Sequence, residues 1–195
     1  KWNAKWRRKN YDLHNVLGFY ATWIVLILAI TGLVWGFEWF SEFSYKITGG
    51  SKELLYSEPL SDTTQIKNVA GMPPLDRAWE KMKKLYPSAA TIEVHPPATP
   101  ASPIAANANP DASTYWQIDY RYFDQYTMEE LSVDHLYGRI NDANNADLLR
   151  RMNYDIHVGA ILGLPGKILA FFASLIFASL PITGFYIWWG RKNKK

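Results

Sequence analysis

The sequence predicts a membrane α plus α+β fold, in which two transmembrane helices flank a small domain of one helix on an antiparallel sheet. Three observations predict it. Residues 15–37 and 168–190 each run for 23 positions without a charged side chain, and about 20 apolar residues are enough to cross ~30 Å of hydrocarbon. The stretch between them is polar and carries short segments with strand and helix periodicity. Charge is also partitioned along the chain. Residues 1–13 hold Lys1, Lys5, Arg7, Arg8 and Lys9 against Asp12, the C-terminus holds Arg191, Lys192, Lys194 and Lys195, and residues 41–156 carry 11 basic and 16 acidic side chains, a net charge of −5. Lys and Arg near membrane ends are retained in the cytoplasm. Both termini are therefore expected on the cytoplasmic side and the central domain on the other.

In chain order, residues 1–14 form a basic, aromatic cytoplasmic lead-in, with Asn10 or Asp12 available as a helix N-cap. Residues 15–37 form the first span. Trp2, Trp6 and Tyr11 before it, Trp35 and Trp39 at its end, and Tyr186, Trp188 and Trp189 at the end of the second span fit the aromatic belts at headgroup level. Residues 38–156 form the external domain. It opens with a Gly49-Gly50 turn inside a mixed stretch, 38–72, read as extended segments and loop.

Pro73 and Pro74 then start a helix whose apolar stripe is Leu75, Ala78, Trp79, Met82 and Leu85, ended by Pro87. Strands are predicted at 91–94, 115–123 and 129–135, the second rich in aromatics suited to a pleated face. Pro, Ala, Asn and Ser dominate 96–113, which reads as a flexible loop. Residues 144–164 read as helical and lead to the second span, with Pro165-Gly166-Lys167 interrupting the run. Residues 157–190 take the chain back through the membrane, Pro181 marks a kink within that span, and 191–195 form a cytoplasmic tail. Lys1 in place of Met suggests a portion of a longer protein.

The residues exclude several classes of function. There is no cysteine, hence no disulfide, thiol catalysis or iron–sulfur ligation. No nucleophile constellation, phosphate loop or dinucleotide fingerprint occurs. The basic ends are explained by topology, without nucleic acid, and neither span carries an internal charge of the kind a transporter gate uses. Asp119, Asp124 and Asp134 read as a solvent-facing row, and His95 and His135 as solvated or turn-capping. Ile30-Thr31-Gly32 recurs as Ile182-Thr183-Gly184, and the opposite directions of the two spans send these copies to opposite faces.

His14 and His157 lie beside the spans, where imidazole is costly unless paired, hydrated or ligating. Haem iron held by axial imidazoles is one candidate partner, with Gly18, Gly159 and Gly163 making room or forming helix contacts and Trp35 or Trp23 packing nearby. A histidine bonding a carbonyl or a headgroup is the other. The two sit at opposite ends of the spans, roughly a ~30 Å membrane thickness apart. One copy therefore cannot place both on one iron.

Asp12-Leu13-His14-Asn15-Val16-Leu17-Gly18 opening a span that ends in Thr31-Gly32, the 75–86 helix with strands running to Val133-Asp134-His135-Leu136-Tyr137-Gly138-Arg139-Ile140, and Ile156-His157 followed by Gly163-Leu164-Pro165-Gly166-Lys167 and Thr183-Gly184-Phe185-Tyr186-Ile187-Trp188-Trp189 together resemble the PepSY-associated transmembrane family of bacterial inner-membrane proteins. The usual ending of a PepSY domain has Pro and Thr where His135 and Tyr137 stand. Some members are siderophore-iron reductases. The resemblance implies an inner-membrane protein with a periplasmic PepSY-like domain, and haem b ligated by His14 on the cytoplasmic side and by His157 on the periplasmic side. A second such unit, from the same chain beyond this segment, a homodimer or another subunit, would complete each ligand pair. The implied activity is electron transfer to a ferric siderophore. The alternative is an accessory subunit whose external domain binds a periplasmic protein or peptide.

Overall fold

The computed structural model describes residues 5–65 and 71–192. Lys1, Trp2, Lys194 and Lys195, and part of the 38–72 stretch, lie outside the described residues. In chain order the elements are α1 (Trp6–Gly36), α2 (Glu38–Ile47), α3 (Pro74–Leu85), β1 (Thr91–His95), β2 (Ile104–Asn109), β3 (Asp119–Phe123), β4 (Glu130–Leu131), α4 (Asn145–His157) and α5 (Gly163–Lys192). They form two compact units, residues 1–38 with 154–195, and residues 39–153.

The first unit is an antiparallel pair of long helices. α1 has 31 residues and α5 has 30, each about 45 Å at 1.5 Å per residue. Leu, Ile, Phe and Trp side chains stand exposed along both, as expected of helices whose solvent is lipid. Where the helices meet the residues are small: Ala21 and Ala173 are buried, and Gly18 packs on Leu180. Small side chains allow the close approach that drives association in lipid.

α1 begins at Trp6, so Asn10 and Asp12 lie inside the helix instead of capping it. The break before the second span falls earlier than Pro165: α4 ends at His157, a turn with Gly159 in the left-handed region follows, and Pro165 sits in the first turn of α5. Proline costs nothing there, because first-turn N–H groups have no intrahelical partner. α5 also continues through Pro181.

The second unit is a four-stranded antiparallel sheet in the order β1-β2-β3-β4. α3 covers one face, as its apolar stripe predicts. Ala78 and Met82 pack there with Ile104, Ala106, Ala108 and Phe123. The loop expected at 96–113 is a correction, since β2 lies within it and occupies the interior of the sheet between β1 and β3. Ala-Ala-Asn-Ala-Asn has weak strand propensity, but Ala106 and Ala108 leave the room that α3 needs to lie close to the sheet, and packing overrides propensity.

β1 runs one residue past the expected 91–94, and the other two expected strands are shorter than read, with β3 starting at Asp119 and β4 holding two residues. α2 stands where extended chain was expected. Tyr45 from α2 is buried against Gly50, leaving no space for a Cβ there. Its hydroxyl bonds Asp147, which also pairs with Lys52 at 3.1 Å and closes a capping box with Asn144 at the start of α4.

Two of the three aspartates read as solvent-facing are buried. Asp119, Arg121 and Phe123 alternate onto the α3 side of β3, and Asp119 accepts from Tyr86, Arg139 and the Ile140 amide. Asp124 accepts the amides of Asp62, Tyr126 and Thr127. Burial works to raise its pKa, and the amides outweigh it to hold the carboxyl below its usual range. Asp134 is exposed.

Candidate functional site

The helical pair contains the same small construction twice, once near each end. Near the N-terminus of α1, Nδ1 of His14 lies 2.8 Å from Oγ1 of Thr183 on α5. At the other end, Nδ1 of His157 lies 2.9 Å from Oγ1 of Thr31 on α1. In each case a glycine follows the threonine and the imidazole rests on it. A Cβ built on Gly184 would stand 3.4 Å from Cε1 of His14, and one on Gly32 the same 3.4 Å from Cε1 of His157. The repeated Ile-Thr-Gly is thus a seat for a histidine from the opposite helix.

The hydroxyl hydrogen bonds assign the ring protons. Thr31 Oγ1 is 2.8 Å from the Ile27 carbonyl and 3.0 Å from that of Leu28, and Thr183 Oγ1 is 3.1 Å from the carbonyls of Ser179 and Leu180. Carbonyls only accept, so the single hydroxyl proton of each threonine points back into its own helix. Its oxygen is then placed to accept from an N–H at Nδ1 of the imidazole, the tautomer whose lone pair is on Nε2. A hydrogen bond from the remote nitrogen that fixes tautomer and ring orientation is how proteins prepare a histidine to bind a metal.

The surroundings differ between the ends. Asn10, one turn before His14, donates to the Thr183 carbonyl at 3.3 Å. The Trp35 ring stands edge-on to His157, with centroids 5.0 Å apart, and also meets Tyr154. Trp23 packs instead on Phe19. Thr31 and His14 are 17 residues apart on one helix, which separates the two seats by about 26 Å along the axis. Both histidines are half-buried. Each supplies one ring nitrogen, and among the described residues no group of three or more His, Asp or Glu side chains is placed to hold a metal ion.

The glycines singled out from sequence have separate places. Gly18 meets the Leu180 side chain. Gly159 has φ +75° and its Cβ would fall 2.3 Å from the Gly166 carbonyl oxygen, so it serves a tight turn against the start of α5. Gly163 has φ +65° and open space around it. Sequence reasoning noted the Ile-Thr-Gly repeat but did not connect its threonines with the histidines.

His95 is exposed on β1, whereas His135 is buried to 1 % exposure. His135 Nδ1 accepts the Tyr137 amide at 3.1 Å, and burial holds its pKa below the usual histidine value.

No curated protein is significantly similar to the chain in sequence. A family model does match it: the PepSY-associated TM region covers residues 1–191. With two long apolar helices flanking a four-stranded antiparallel sheet domain, the chain belongs to the PepSY-associated transmembrane family, and it is a membrane protein.

Proposed function

We propose that this chain is one unit of a transmembrane electron conduit, in which Nε2 of His14 and Nε2 of His157 each serve as an axial ligand to haem b. The reading is carried by the two threonine-held imidazoles, each with Nδ1 engaged by a threonine hydroxyl of another helix and Nε2 left for a ligand. A histidine that merely bonds a carbonyl or headgroup has no need of this arrangement at both ends of a helix pair. Since each seat offers one nitrogen, a second imidazole comes from another unit: a further part of a longer chain, a second copy, or a different subunit. Bound haem would supply the one-electron ferric/ferrous couple.

The residues of this chain have definite tasks in that role. Thr31 and Thr183 orient the rings. Gly32 and Gly184 let the imidazoles come close to the helix backbone, and Trp35 closes one side of His157. The basic tails and the acidic domain support an orientation with both termini in the cytoplasm of a bacterial inner membrane and the domain in the periplasm. His14 would hold a haem on the cytoplasmic side and His157 one on the periplasmic side, and the bound groups would supply one-electron transfer to ferric iron held by a siderophore.

The test is reduction across a membrane. Protein in sealed vesicles, supplied with reductant inside and a ferric siderophore outside, is expected to produce ferrous iron outside. His14→Ala and His157→Ala each abolish it while leaving the domain folded. Unchanged reduction in both variants would contradict the reading. A colourless, inactive protein that co-purifies with a partner at fixed stoichiometry would point to an accessory subunit instead.

A further inference from the structure

The face of the sheet opposite α3 carries an aromatic pocket that the electron-transfer reading does not use. Tyr120 and Tyr122 project from β3, and Tyr56 and Tyr137 come from the flanking segments. Their rings form an arc in the order Tyr122, Tyr56, Tyr137, Tyr120, with successive centroids 6.3, 6.4 and 5.7 Å apart. Across the strands His95 pairs with Ala105 and Ala105 with Tyr122. The small side chain of Ala105 leaves a notch between two rings set two strand spacings apart, about 9.6 Å. The cavity bounded by the arc and this notch has a volume of about 360 Å³.

The chemistry of the walls selects a ligand. The cavity is walled mainly by the four tyrosine rings with Ala105 and Ala106, His95 and Asn107 also line it, and the Tyr122 hydroxyl is already committed to the Tyr137 carbonyl at 2.9 Å. Arg151 stands behind Tyr120, 5.6 Å from its ring centroid, and donates to the carbonyls of Ile118, Leu136 and Gly138. Glu93 is exposed beside Asn107 at 3.2 Å, and burial, with the neighbouring Glu58 charge adding to it, pushes the Tyr56 and Tyr122 phenols up. The domain as a whole is acidic. Ring faces carry a negative quadrupole that attracts cations. A primary ammonium needs acceptors for three protons, whereas a quaternary, fully N-methylated ammonium needs none and suits a cavity walled mainly by rings and methyl groups.

We propose that the pocket walled by Tyr56, Tyr120, Tyr122 and Tyr137 is a binding site for a small organic cation bearing a quaternary, N-methylated ammonium group, attracted by the nearby Glu58 and Glu93. The site lies wholly within the sheet domain and is independent of haem.

Choline serves as the probe, and 3,3-dimethyl-1-butanol, which has the same shape without the charge, is its control. Saturation transfer from aromatic protein protons to the ligand methyls is measured on the full chain in maltoside micelles, with titration of each compound. Choline is expected to bind at least about tenfold more tightly than the neutral analogue. Tyr120→Leu is expected to abolish the signal, and the paired change Glu58→Gln with Glu93→Gln to weaken choline several-fold while leaving the analogue unaffected. Equal binding of the two compounds would overturn the proposal in favour of a neutral apolar slot. Absence of a choline signal from folded protein would overturn it outright. Circular dichroism checks folding, and Tyr120→Phe, which keeps the ring, is expected to retain binding.

Discussion

Thr31 Oγ1 lies 2.9 Å from Nδ1 of His157, and 17 residues earlier on the same helix His14 Nδ1 lies 2.8 Å from Thr183 Oγ1. α1 therefore gives α5 a histidine and takes one from the C-terminal end of α4. An isosteric change that removes only the hydroxyl isolates this relationship. Thr31→Val is expected to weaken haem binding at the His157 seat and Thr183→Val at the His14 seat, by roughly 10- to 100-fold each. Haem titration of the apoprotein, followed in each single variant, checks this. One site should weaken while the other stays unchanged.

The turn before α5 makes a separate, structural prediction. At Gly159 a Cβ meets backbone atoms of Gly166 at 2.3 and 2.5 Å, and φ is +75°. A left-handed residue other than glycine costs about 1–2 kcal/mol from conformation alone, and backbone cannot swing aside as a side chain can. Gly159→Ala is therefore expected to lower the thermal midpoint of the purified protein clearly. Gly163→Ala, at φ +65° with open space around it, should pay the conformational cost without the collision and lose less.

His135 makes the sheet domain sensitive to acid. Burial holds its folded pKa below the ordinary value of 6.5, so below neutrality the unfolded chain binds the proton more readily than the folded one. Stability contributed by the neutral ring is full above about pH 6.5 and declines as pH falls toward the depressed folded value, under which the slope vanishes. His135→Asn, which keeps an acceptor for the Tyr137 amide, is expected to flatten this part of the stability profile. Urea midpoints from pH 7.5 to 5 decide it, and an unchanged slope would assign the acid sensitivity elsewhere.

Asp147 is the anchor of α2 and α4 in this domain. Burial tends to raise its carboxyl, but Tyr45, the Asn144 amide and Lys52 more than offset that and hold it below the usual range. Asp147→Ala removes the shared partner of all three, and breaking a buried pair in this way costs about 3–5 kcal/mol. Denaturation of the variant, compared with Tyr45→Phe, is expected to show the larger loss for Asp147→Ala, since Tyr45→Phe deletes one hydrogen bond and keeps the ring on Gly50.

The spans were legible because lipid imposes a simple demand, about 20 apolar residues in a row, and because basic residues cluster beyond both ends. α3 was legible for a similar reason, its stripe of Leu75, Ala78 and Met82 having one face to cover. The threonines were not. A threonine in a membrane helix ordinarily bonds its own carbonyls, as Thr31 and Thr183 both do, and nothing local says that the same oxygen accepts from a histidine more than a hundred residues away. The Ile-Thr-Gly repeat was the available signal. β2 was hidden because Ala106 and Ala108 are selected for thinness under α3, which in composition looks like a loop. Asp119 was misplaced because its partner Arg139 lies 20 residues further on.

The central claim is that His14 and His157 are haem ligands. The most direct test is the visible absorption spectrum of the purified protein, oxidised and then reduced with dithionite, with haem quantified per chain after haem-replete growth. The account predicts sharp reduced bands of bis-histidine haem, about half the pigment lost in either His14→Ala or His157→Ala, and none left in the double variant. A flat spectrum, or pigment unchanged when both histidines are replaced, would contradict it.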